Sequence, residues 1–264
     1  MTLKSISFEK GSLDTMIDRL CKTMNAMDRE WSKKVEPALQ SQIQTLSEFL
    51  NPYSKSIPLA YLLFLQAMGK NDGGLLEQEW DGATEVSLDM ALNDAYNYSR
   101  YYEWEDFLPG NLLPFSFHWT DTILSLKLTG EDNPPIYYYG DLFSGSFENY
   151  LFQMAFRKVE NTQYLYQVHC STSKNGFLDI LSGELSQNIS WTKPMEFIEA
   201  ILKPYQLQKA WFSDDVRFCG VSLEYIVSVD LSLGLIIKIS SDDHIALQNM
   251  KENLSSLFGD LIHW

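Results

Sequence analysis

Between Pro58 and Gly69 the chain reads LAYLLFLQAM, ten residues of which only Gln66 is strongly polar. A helix made from such a segment has almost no side to turn toward water, so neighbouring elements must bury it. It is about half the length of the roughly 20 residues needed to cross a bilayer, and its cover therefore has to be a folded core. Pro58 suits the first helical turn, and Gly69 or the turn from Asn71 to Gly74 ends the helix. With 264 residues and 45% hydrophobic content, the chain can bury such a core as one large or two modest domains.

The segments around this helix change period in a definite order. Leu13, Ile17, Leu20 and Met24, then Leu39, Ile43, Leu46 and Phe49, recur at helical spacing over residues 12 to 50. Ser12 is placed to cap this stretch, Pro37 divides it, and Asn51-Pro52 stops it. From Leu112 the pattern becomes a β meander, LLPFSFHW, TILSLKL and IYYYGD, with Gly130 and Pro134-Pro135 marking one connection. Ser146 then caps a helix that shows Phe147, Tyr150, Leu151 and Met154 on one face.

After about residue 159 a second α+β unit is expected. Its strands are YLYQVHC, a segment in AWFSDDVRFCG, EYIVSVD and LGLIIKIS, and SKNG suits a turn. Its helices are KPMEFIEAILKPY and a last one that begins at the acids Asp242-Asp243, where the helix dipole favours them. The fold class is α+β, with residues 1–158 forming one domain and residues 159–264 a C-terminal α+β extension.

Charge narrows the partners. The formal net charge is −15, which repels nucleic acid and anionic membrane and favours a basic protein. The imbalance is concentrated, since residues 71 to 106 hold ten acids against Arg100 alone. There Glu77, Glu79, Asp81, Glu85, Asp89, Glu103, Glu105 and Asp106 interleave with Trp80, Tyr98, Tyr101, Tyr102 and Trp104. Acids attract a cationic partner from a distance and aromatic rings anchor an interface, so this stretch is the candidate partner-binding surface. The competing reading is a solvated acidic face whose rings pack back onto the sheet.

Catalytic and metal chemistry find little support. His118, His169, His244 and His263 are scattered without metal-ligand spacing, and no nucleophile-elbow, Walker or dinucleotide-binding motif occurs. Gly73-Gly74 could cradle an anion, but Glu77 and Glu79 follow it, so a turn with positive φ is the expected role. Three cysteines, Cys21, Cys170 and Cys219, without C-x-x-C spacing point to a reducing compartment. The N-terminus lacks an apolar leader segment, and a cytoplasmic location is expected. No catalytic residue, metal ligand or cofactor is assigned.

The segment IPLAYLLFLQAMGKNDGG resembles the signature of the SUKH superfamily, in which a Leu-Pro-x-x-Tyr-x-x-Phe-Leu helix leads into a glycine turn. Ile57-Pro58, Tyr61, Phe64-Leu65 and Gly73-Gly74 stand in those places, with Ile57 replacing the usual Leu. LLPFSF, the GEDNPP turn, IYYYGD and Ser146-Phe147-Glu148 follow in the family's order, so the resemblance spans residues 13 to 158 and the acidic stretch is extra to it. It implies helices packed on a curved, mostly antiparallel sheet and a non-catalytic binding role. The function it implies is immunity, the neutralisation of a cognate toxin domain such as a nuclease. A regulatory scaffold of the fungal cell-wall-regulator kind is the alternative, an unrecognised hydrolase ranks below both, and a homodimer is left open.

Overall fold

The computed structural model describes residues 8–76, 111–117, 123–138, 140–173, 193–232 and 234–258. Among them lie six α-helices and eleven strands, every sheet antiparallel, an α+β architecture. The chain divides into two compact units, Lys4–Ala155 and a second beginning at Phe156.

In the first unit, α1 (Met16–Met27), α2 (Gln40–Leu50) and α3 (Leu59–Met68) supply the helices expected from the spacing. The break between α1 and α2 is wider than a kink at Pro37. It holds a single 3-10 turn, Trp31–Lys33, and the two-residue strand β1 (Val35–Glu36), which pairs with β2 (Asn71–Asp72). Ser12 does not cap with its side chain. Its carbonyl instead accepts the Thr15 N–H at 3.1 Å, the Thr15 hydroxyl at 2.8 Å and Arg19 Nη2 at 3.0 Å.

The meander is β3 (Leu112–Phe117), β4 (Ile123–Lys127), β5 (Ile136–Tyr138) and β6 (Asp141–Ser144), paired in that order with a bulge between Pro114 and Ser116. The fourth strand lies beyond the three that the sequence marks. Ser146 does cap α4 (Phe147–Gln163), its Oγ accepting the Asn149 N–H at 3.1 Å.

The apolar helix α3 is buried at Ala60, Tyr61, Phe64, Leu65 and Met68. What covers it is aromatic: Phe147 meets Tyr61 and Phe115 edge-on at 5.5 Å each and Phe64 at 5.6 Å. Edge contacts of this kind add about 0.5–1.5 kcal/mol each beyond the burial itself, and here they tie α3, β3 and α4 together. A buried ion pair, Arg19 with Glu148, joins α1 to α4, while Asn133 Oδ1 takes the Glu148 N–H at 2.9 Å.

The expected boundary after residue 158 falls inside α4, which continues unbroken to Gln163. The second unit holds a five-stranded sheet in the order β7-β11-β10-β9-β8. Its strands are β7 (Tyr166–Ser173), β8 (Gln208–Lys209), β9 (Arg217–Val221), β10 (Ile226–Asp230) and β11 (Gly234–Ser241). Because alternate strand residues face opposite sides, Phe218, Val227, Val229, Ile237 and Ile239 share one face. With α5 (Pro194–Leu202) and α6 (His244–Phe258) they form a continuous apolar core.

Candidate functional site

The residues that the sequence nominates for partner binding, Glu77, Glu79, Trp80, Asp81, Glu85, Tyr101, Tyr102, Glu103, Trp104, Glu105 and Asp106, lie outside the described residues, as do His118, His263 and the SKNG turn beyond Ser173. The other two histidines sit apart. His169 is exposed on β7 opposite Lys238, and His244 opens α6 with its ring edge-on to Tyr166 at 5.2 Å. Among the described residues no group of three His, Cys, Asp or Glu side chains could hold a metal ion.

Gly73 and Gly74 do take positive φ, +64° and +77°. The anion that fills their turn belongs to the chain itself. Asp72 Oδ1 accepts the N–H groups of Gly74 at 2.8 Å and Leu75 at 3.1 Å, and its Oδ2 accepts that of Leu76 at 3.2 Å. Trp31 Nε1 closes the turn by donating to the Gly73 carbonyl at 3.1 Å.

The other face of the C-terminal sheet is polar, and the last part of α4 lies on it. Asp230 Oδ2 accepts Arg157 Nη2 at 2.6 Å and Arg217 Nε at 3.1 Å, while its Oδ1 accepts the Ser232 hydroxyl at 2.5 Å and N–H at 2.9 Å. One helical turn along, Glu160 Oε2 accepts the Ser228 hydroxyl at 2.8 Å, and Lys238 donates to Asn161. Arg217 is 2% exposed. Burial opposes ionisation of Asp230, but Arg217 and Arg157, together with the Ser232 donors, outweigh it and hold the carboxyl well below the usual carboxylate range. Cys219 lies beside them, and its thiol is pushed up by burial and by Glu160 against the pull of both arginines.

Neither Cys219 nor Asp230 is poised for a reaction here. A nucleophilic cysteine needs a depressed pKa and partial exposure, and Cys219 is buried with a raised one. A general base needs a pKa near the working pH, and Asp230 has been moved the other way. The arrangement fastens α4 to the sheet. Reading the sequence for helices and strands did not single it out, yet its signal is there: Arg217-Phe218-Cys219 and Ser228-Val229-Asp230 alternate polar and apolar residues in two strands flanked by oily ones.

A second feature lies at one end of the same sheet. Tyr166 pairs with Ser241, and Asp242 Oδ1 accepts the Leu165 N–H at 3.3 Å. Ser241 Oγ donates to the Glu224 carbonyl at 2.7 Å, and Tyr225 donates its hydroxyl to the Ala246 carbonyl at 3.1 Å. These bonds gather the start of β7, the β9–β10 turn and the first turn of α6. The apolar side chains exposed there are Leu223 at 85%, Leu165 at 78%, Ile245 at 71% and Tyr166 at 41%.

Compared with known proteins, the chain matches no family model, no curated protein and no solved structure. Among the described residues no helix is long and apolar enough to cross a membrane.

Proposed function

We propose that this chain is a non-catalytic protein-binding module of the immunity type, which blocks a basic toxin domain by occlusion. The observation that carries the proposal is the charge pattern of residues 71 to 106, ten acids interleaved with aromatic residues and only Arg100 among them. The resemblance of residues 13 to 158 to the SUKH superfamily supports the same reading. The buried ion pairs support it too: Glu148 and Asp230 are engaged by arginines that fasten helices and strands together, so these charges serve the fold.

The test is affinity capture with lysate from the protein's own source, followed by association kinetics with the partner recovered. A basic toxin domain should bind, and reversing Glu103, Glu105 and Asp106 to lysine should slow its association at least about tenfold at low salt. An unchanged on-rate would refute the acidic surface. Recovery of envelope-related or housekeeping proteins in place of a toxin would favour a regulatory scaffold.

A further inference from the structure

We infer that the end of the C-terminal sheet carrying Leu165, Tyr166, Leu223 and Ile245 is a second docking surface, and that its occupant is a basic, amphipathic segment of another protein. Single exposed apolar side chains are ordinary on a protein surface, whereas a group of them marks an interaction site. Leu223, Leu165 and Ile245 are the three most exposed large apolar side chains among the described residues. They come from three separate pieces of chain, yet the hydrogen bonds of Leu165, Ser241 and Tyr225 bring them to one end of one sheet.

Charge selects the occupant. Glu224 adjoins Leu223 in the chain, Asp242 accepts the Leu165 N–H and Asp243 the Ile245 N–H; all three acids are exposed, and no Lys or Arg occurs in residues 163–166, 222–226 or 241–247. A second copy of this chain would set the same acids against each other, which is unfavourable in a low-dielectric interface. A segment with leucine-like residues on one side and lysine or arginine on the other satisfies both features. Such a surface gives the C-terminal unit a role that does not depend on residues 77–106.

The probe is a synthetic helical peptide of leucine and lysine at amphipathic spacing, with a glutamate-for-lysine analogue as control, titrated into the full-length isotope-labelled protein. Backbone resonance shifts should concentrate at residues 165–166, 222–225 and 242–246. The triple variant Leu165→Ser, Leu223→Ser, Ile245→Ser should bind at least tenfold more weakly with unchanged melting, and the acidic analogue should not bind. Equal binding by wild type and triple variant, shifts centred elsewhere, or concentration-dependent self-association lost in the triple variant would each overturn the inference. Charge reversal at Glu103, Glu105 and Asp106 should leave this titration unaltered, so failure here and failure of the proposed immunity surface are separate results.

Discussion

Replacing Asp230 with asparagine keeps the shape of the polar cluster and removes its central charge. Breaking a buried ion pair from one side costs about 3–5 kcal/mol, because the remaining charge is left out of water. The two arginines share that cost unequally. The Arg157 side chain is 31% exposed and lies near Glu160, whereas that of Arg217 is 2% exposed. Arg157 can turn to water and Arg217 cannot, so the lower end of the range applies, about 3 kcal/mol. A chain of two units need not unfold in one step, so the readout is hydrogen exchange of the β9 and β10 amides. At 1.36 kcal/mol per tenfold, they should lose about two decades of protection. Wild-type protection should also fall with acid in a definite window. The folded carboxyl is held below its unfolded value of about 3.9, so its contribution is complete above that pH and is lost progressively below it. The Asp230→Asn protein should lack that part of the acid limb. A loss of less than half a decade at neutral pH would show that Arg217 does not depend on this carboxylate, and the account of the cluster would fail.

Two further outcomes follow from the same geometry. At Gly73 an added Cβ would lie 2.7 Å from Trp31 Nε1 with φ at +64°, whereas at Gly130, φ +87°, it would meet nothing within 4 Å. Gly130→Ala should therefore cost about 1 kcal/mol, the left-handed backbone alone, and Gly73→Ala at least about 2 kcal/mol once the steric conflict is added, compared by denaturant midpoint. Thiol titration at pH 8 on the native protein should label only Cys21, slowly, because burial pushes the Cys170 thiol up to about 12 and raises that of Cys219 further. All three should react after unfolding, and fast native labelling of two or more would contradict the burial described.

The elements that could be read from the sequence are those whose local chemistry is one-sided. Leu59–Met68 has only one polar side chain to expose, Pro58 and Gly69 bracket it, and the helix occupies that span. Ser146 precedes an acid and an apolar face, and it caps. Ser12 precedes an equally regular pattern but makes no side-chain cap; its backbone carbonyl instead gathers Thr15 and Arg19, and the Arg19 contact depends on where that side chain finally folds. The strand β6 was hidden for a related reason: Asp141-Leu142-Phe143-Ser144 is too short to show a period, and it is a strand because β5 offers it an edge. The alternation in β9 and β10 hints at the polar cluster, but its assembly is non-local: Arg157 and Asp230 lie 73 residues apart, the register of β9 on β10 sets Arg217 opposite Asp230, and α4 brings Arg157 to them. The exposed end of the sheet is assembled in the same non-local way.

That register has a consequence for how the C-terminal unit reaches its final form. Arg217 stands opposite Asp230 and Cys219 opposite Ser228, while Phe218 stands opposite Val229 on the reverse side. Sliding β9 by one residue would exchange the two sides completely, driving a guanidinium into the oil under α5 and α6 and turning a phenyl ring toward Glu160. Among hydrophobic ribbons alone, neighbouring alignments would differ by little, and a chain could stall in several of them. The ions raise the cost of such a slip, because a guanidinium moved into oil loses its carboxylate. The charges that hold the finished sheet together thus also weigh against its nearest misalignment.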